Sequence, residues 1–131
     1  MCLFRRSKCK VATEDIIVYK VVNSNLKSLY YDFQYEIGKA YNRKWTKDFI
    51  DYCEYRDTIG GNTFHSSLSK DDAIWVYGED SHYDLVDGHQ ISKLGTGQVL
   101  LKCIVPAGSK YFKGTFNEIA SEKIIIKEIC A

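Results

Sequence analysis

A chain of 131 residues has the length of one ordinary domain and can bury roughly two-thirds of its unfolded surface, so it needs neither metal nor disulfide to fold. Apolar residues make up 45% and charged residues 27%, which excludes a disordered chain. Basic and acidic side chains number 18 and 17, and a formal charge of +1 excludes a general attraction to nucleic acid or to an anionic membrane.

The first ten residues carry Arg5, Arg6, Lys8 and Lys10 without an acid, which predicts a solvated, flexible arm over 1–12 and one globular domain over 13–131. Leu3 and Phe4 are its strongly apolar residues besides Met and Cys, so no signal peptide is expected. No apolar run approaches the roughly 18 residues of a membrane helix. Cys2, Cys9, Cys53, Cys103 and Cys130 are odd in number and lack Cys-x-x-Cys spacing, as expected of free thiols in a reducing cytoplasm. Removal of Met1 would leave Cys2 as a terminal nucleophile with its own amine as base; the amidotransferases that begin this way are much longer chains.

Asp15 to Val22 is a β-branched run of strand length, followed by an Asn23-Ser24-Asn25 turn. From Tyr30 to Ile37 apolar and polar residues alternate, predicting a half-buried strand that ends at Gly38. Trp45, Phe49, Tyr52 and Cys53 fall at helical spacing within 41–56, with Thr46 as a cap, although aromatic residues weaken a helix. Gly60-Gly61-Asn62 is a turn, and Thr63 to Ser67 a short strand. Ser69 with Asp72 three residues on predicts a capped helix that continues through Tyr77 and stops at Gly78 as its left-handed cap. Residues 79–97 show no periodicity and predict a long functional or disordered loop. Gln98 to Val105 is an apolar strand stopped by Pro106-Ala107-Gly108, Tyr111 and Phe112 form a short extended piece, and Glu122 to Cys130 is the closing strand.

Familiar chemistry is sparse. His82 and His89, seven apart, share no helical or strand face, and no metal site is expected. The Gly-x-Ser-x-Gly elbow, the Walker loop and the Gly-x-Gly-x-x-Gly fingerprint are missing, and Gly95-Thr96-Gly97 needs only a turn. Ten Tyr, six Phe and two Trp are not interleaved with a basic stripe, so no nucleic-acid module is expected; aromatics of this kind suit strands, interfaces and stacking surfaces.

Four pieces nevertheless stand in a suggestive order: Val18-Tyr19-Lys20, Phe64 to Ser69 leading into the helix, Leu100 to Tyr111, and Ser121 to Ile126. This order resembles the ADP-ribosyltransferase superfamily. There a first strand carries Arg or His, a second carries Ser-Thr-Ser running into a helix, a later strand enters a Val-Pro-x-Gly turn, and a closing strand begins with glutamate. The resemblance implies an α+β fold, mainly antiparallel sheet with one to three helices, in a split-sheet form. It also implies chemistry on NAD, where a carboxylate stabilises the positive charge developing on the ribose and a cation anchors the diphosphate. Glu122 would then be the catalytic carboxylate, with Glu118 as rival, and Lys20 the anchor. The departures are specific. Lys20 replaces Arg or His and cannot form a bidentate fork. His65-Ser66-Ser67 lacks the first serine, and Ala120 stands where many active members place Gln or Glu.

The whole chain is also similar to a family of small proteins of gut Bacteroidetes and their phages, through its initial Met-Cys-Leu, Tyr19-Lys20, Phe64-His65-Ser66, Lys102 to Gly108 and Tyr111 to Gly114. That resemblance implies no particular activity.

The expectation is a cytoplasmic, non-enzymatic or weakly active nucleotide-binding module, with Tyr19, Lys20, His65, Ser66, Ser67 and Tyr111 lining its site, suited to a phage or mobile-element accessory role in counter-defence. An active NAD-dependent mono-ADP-ribosyltransferase using Glu122 is the alternative. A protein-interaction module presenting Trp45 and Tyr52, without a small-molecule ligand, is a third. In plainer terms, Ser66 and Ser67 would be strand-end hydrogen bonders and Glu122 a strand-edge charge.

Overall fold

The structure, a computed structural model, describes residues 9–29, 33–42, 63–83, 88, 90–114 and 117–131. The strands are β1 (Lys10–Val11), β2 (Ile16–Asn23), β3 (Ala40–Asn42), β4 (Phe64–Ser67), β5 (Asp80–Tyr83), β6 (Gln90–Lys93), β7 (Gln98–Val105), β8 (Lys110–Lys113), β9 (Glu118–Ser121) and β10 (Lys123–Ile129). One helix stands among the described residues, α1 (Lys70–Tyr77), between β4 and β5. The fold is α+β, and every strand pair is antiparallel.

Eight strands form one sheet in the order β1-β8-β9-β4-β2-β7-β10-β3, and β5 and β6 pair separately. The long strands are its spine. In β2, IIVYKVVN, and β7, QVLLKCIV, β-branched and aliphatic residues follow almost without interruption, and all but the exposed Ile17 are buried or half-buried. These two strands pair continuously from Ile16↔Val105 to Asn23↔Gln98. On its other side β2 meets β4 through one pair, Tyr19↔Ser67. The β2–β4 ladder is therefore the shortest in the sheet, and the Lys20 side chain adds a bond to the His65 carbonyl across it.

Side chains alternate between two faces. One face buries Val18, Val22, Phe64, Leu101, Cys103, Val105, Ile119, Ile124 and Ile126. Phe33, Tyr35 and Tyr41 pack on it, Tyr35 and Tyr41 edge to face at 5.4 Å and 86°. We call this the aromatic face. On the opposite, helix face, Val21 and Leu100 lie against Ala73 of α1, with Tyr19, Ile74 and Tyr77 around them.

Helix α1 starts as its sequence predicts. Ser69 is extended (φ −126°, ψ 150°) and its hydroxyl accepts from the Asp72 N–H at 3.0 Å, while Asp71 and Asp72 occupy the positive end of the dipole. Gly78 ends the helix for a different reason from the expected one. Its backbone is extended (φ −64°, ψ 130°) rather than left-handed, and a Cβ there would run into the carbonyl oxygens of Lys93 and Ile74. Close backbone approach, not φ, demands glycine.

Other expectations change. The arm over 1–12 is tied down at its end: Lys10–Val11 pair with β8, Ala12 is buried, and Ala12 exchanges backbone hydrogen bonds with Ser109 and Gly108; residues 1–8 lie outside the described residues. The alternating stretch 30–37 does not form a strand in its described part, 33–37. A single bridge, Lys27↔Gln34, holds it, although Phe33 and Tyr35 do point inward. Within 79–97, β5 and β6 form an antiparallel hairpin instead of a structureless loop. The strand β9 precedes the closing one and was not expected. The helical spacing in 41–56 falls outside the described residues, apart from Tyr41 and Asn42 of β3, and so do Trp45, Tyr52, Gly60 to Asn62 and His89.

Cys9, Cys103 and Cys130 are free thiols, and burial pushes the Cys103 thiol up to about 12. Among the described residues no helix is long and apolar enough to cross a membrane.

Candidate functional site

Registers from β7 through β2 and β4 to β9 bring part of the expected set together. Tyr19 on β2 is the partner of Ser67 on β4, and Ser67 is the partner of Glu118 on β9. On the far side Lys102 of β7 is the partner of Tyr19. Lys102, Tyr19, Ser67 and Glu118 therefore form one row on the helix face. His65 lies two residues from Ser67 on the same face, opposite Ala120.

Glu118 is the centre of this group. It is fully buried, its Oε2 accepts from the Ser67 hydroxyl at 3.1 Å, and its Oε1 accepts from the Tyr77 phenol at the end of α1. His65 Nδ1 stands 3.8 Å from the same Oε1. Burial pushes the Glu118 carboxyl up to about 7, against the opposing pull of the Tyr77 and Ser67 hydrogen bonds and the Lys20 charge. Local chain geometry delivers it there. Asn117 adopts the left-handed region (φ 56°), which asparagine tolerates, and turns the chain into β9. Its carbonyl accepts from the Leu68 N–H at 3.0 Å and its amide donates to Asp72 Oδ2 at 2.8 Å, so β9 and the first turn of α1 are fixed together.

Tyr77 is held at both ends. Its carbonyl accepts from Gln98 Nε2 at 3.0 Å, and Gln98 Oε1 accepts from the Glu79 and Gly95 N–H groups, each at 2.9 Å. At the other end of α1 the Lys70 ammonium sits 5.6 Å from the centroid of the half-buried Tyr19 ring.

The remaining expected residues lie elsewhere. Lys20 follows Tyr19 and so projects to the aromatic face. Its ammonium donates to the His65 carbonyl at 2.6 Å and stands 5.6 Å from the Tyr35 ring centroid. This bond forms where the β2–β4 ladder has stopped. Ser66 is opposite Ile119 on the aromatic face, buried, and its hydroxyl has no hydrogen-bond partner among the described residues. Tyr111 pairs with Ser121 and packs against the aromatic-face core. Glu122 lies between β9 and β10, about 13 Å along the chain from Glu118 at the rise of an extended strand. Its Oε1 accepts from the Lys110 N–H at 3.0 Å and its own N–H donates to the Lys110 carbonyl at 3.1 Å, which closes the end of the β8–β9 ladder.

Tyr19, His65 and Ser67 thus meet Glu118 on one face, while Lys20, Ser66 and Tyr111 belong to the other and Glu122 to neither group. Tyr77 escaped the sequence reading because a tyrosine at a helix end reads as core. Glu118 was noticed only as a rival, because the four-residue EIAS gives a weak strand signal. The Asn-Glu step after Gly114, with Ile119 next, was the available clue.

Compared with known proteins, the chain matches no family model, no curated protein and no solved structure.

Proposed function

We propose that the chain is a nucleotide-binding module of ADP-ribosyltransferase-like, split-sheet form that does not itself transfer ADP-ribose. The row Lys102–Tyr19–Ser67 beside buried Glu118, across the short β2–β4 ladder, carries this reading. A half-buried phenol ring offers a base a stacking surface, worth roughly 1–3 kcal/mol per base in single-strand binders. Lys70 and Lys102 flank it as point charges for phosphate. Ser67 and His65 supply the polar edge toward Glu118.

The same arrangement argues against catalysis. A transferase carboxylate must be ionised and reach the ribose. Glu118 is enclosed by Tyr77 and Ser67, and a carboxyl pushed up to about 7 is partly protonated at neutral pH. Glu122 is engaged with the Lys110 backbone. Lys20 projects to the face opposite Glu118, so anchor and carboxylate do not converge on one ligand. A cytoplasmic module of this kind would suit nucleotide sequestration by a phage or mobile element.

The test is a thermal-shift series with NAD, ADP-ribose and linear and cyclic nucleotides. A ligand at a hundred times its dissociation constant adds about 2.7 kcal/mol, a shift of several degrees at this size. We expect a shift that Tyr19→Leu and Lys70→Ala reduce, with no nicotinamide released from NAD. No shift with any nucleotide would overturn the reading in favour of a protein-interaction module. NAD cleavage that Glu118→Gln or Glu122→Gln abolishes would replace it with an active transferase.

A further inference from the structure

Helix α1 has eight residues and buries one of them completely, Ala73. Ala73, Ile74 and Tyr77 pack on Val21 and Leu100, and the polar contacts of the helix to the sheet fall at its two ends, Asp72 to Asn117 in the first turn and Tyr77 at the last residue. The Tyr77 phenol is bound to Glu118 on β9, and the Tyr77 carbonyl to Gln98 on β7. Gln98 in turn holds the N–H groups of Glu79 and Gly95, which flank the β5–β6 hairpin. A continuous path of hydrogen bonds therefore runs from a buried carboxyl, through the helix end, to the base of the hairpin.

We propose that Glu118 is a proton-operated latch: with its proton the carboxyl holds the Tyr77 end of α1 against the sheet, and loss of the proton releases it. The chemistry of the partners permits this. Tyr77 and Ser67 carry hydroxyls that can donate or accept, so both bonds survive when the carboxyl itself becomes a donor. The ionised form places a charge in a site without solvent exposure, and the opening of the Tyr77 end is what lets water reach it. Among the described residues, the charged and titratable groups about Glu118 include His65 on β4, at 3.8 Å, Tyr77 on α1, and Lys20 on β2, whose charge acts through the sheet; Asp72 on α1 is engaged by neighbouring Asn117. The latch holds whether or not the helix face takes a nucleotide, since none of its parts depends on a ligand.

The direction follows from linkage. The open state has an ordinary carboxyl and the closed state a raised one, so opening grows as pH rises from about 4.5 toward about 7 and then levels off. Amide hydrogen exchange of the intact protein, corrected for intrinsic rates, reads this directly. Between about pH 5 and pH 8 the opening constant for residues 74–80 should rise by more than tenfold, while that of β7 stays level. Glu118→Gln should remove the rise. Tyr77→Phe removes the bond by which the carboxyl holds the helix end, and it should raise the opening constant of 74–80 already at about pH 5, even if the Gln variant folds poorly. Exchange at 74–80 that changes less than twofold in the wild type would overturn the latch. So would a rise that persists in Glu118→Gln but disappears in His65→Gln, which would assign the proton to the imidazole.

Discussion

Strand β2 has two different sides. Toward β7 its backbone is paired from Ile16 to Asn23 without a break, and toward β4 it is paired at Tyr19 alone. On the first side the ladder satisfies the peptide groups, and most side chains fill the core. On the second side a side chain takes over part of that work, the Lys20 ammonium reaching the His65 carbonyl; one strand further, at the end of the β4–β9 ladder, Ser67 and Tyr77 both reach Glu118. The polar, titratable residues of the sheet gather where its regular pairing stops. A complete ladder leaves no backbone group in need of a lysine.

If this contrast is right, the paired side should be the more costly to damage. Leu101→Ala empties a fully buried position opposite Lys20 on β7 and should cost about 2–5 kcal/mol in denaturant unfolding, with the slope unchanged. A loss below 1 kcal/mol, on the same scale, would mean that the β2–β7 ladder is not the anchor. The sparsely paired side should show its character through pH. Folded Glu118 keeps its proton to about 7 and the unfolded chain loses it near 4.5, so the folded state binds more protons in between and this group's contribution falls as pH rises through that window. The wild type should lose on the order of 3 kcal/mol there from this group, and Glu118→Gln should flatten that part of the profile of unfolding midpoint against pH. A wild-type profile that rises with pH across the window and is unchanged by Glu118→Gln would contradict the burial of a protonated carboxyl.

Two smaller effects sharpen the comparison. Lys20→Met keeps the stem and withdraws the ammonium from the His65 carbonyl, for an expected loss of about 1–3 kcal/mol by the same unfolding measurement. A neutral result would show that water serves that carbonyl equally well. Ser69→Ala removes the cap of α1 and should cost about 1 kcal/mol, seen as a drop in Tm of several degrees.

The parts of the fold legible in the sequence were those in which one strong local rule acts. The runs of β2, β7 and β10 are long and rich in β-branched residues, and Ser69 with Asp72 carries its own capping chemistry. Residues 33–37 gave two right inward side chains, Phe33 and Tyr35, but the wrong element, and Ile37, on the same alternating face, is exposed, because alternation does not tell whether a ladder partner exists to carry it on. The strands DSHY, QISK and EIAS are four residues each and mostly polar or small, so they leave no period to find; their pairing is a backbone matter settled by their neighbours. Missing EIAS also displaced the candidate carboxylate. The sequence places the start of the closing strand at Glu122, four residues beyond the glutamate that the sheet buries.

By itself, the sequence determined the α+β class, the long central strands and the capped helix, because hydrophobic runs and caps act within a few residues of chain. Tertiary structure alone decided which carboxylate is enclosed, and that Tyr19, His65 and Ser67 share a face while Lys20 and Ser66 take the other. Those outcomes depend on register between strands far apart in the chain, and a shift of one residue in Tyr19↔Ser67 would exchange the faces.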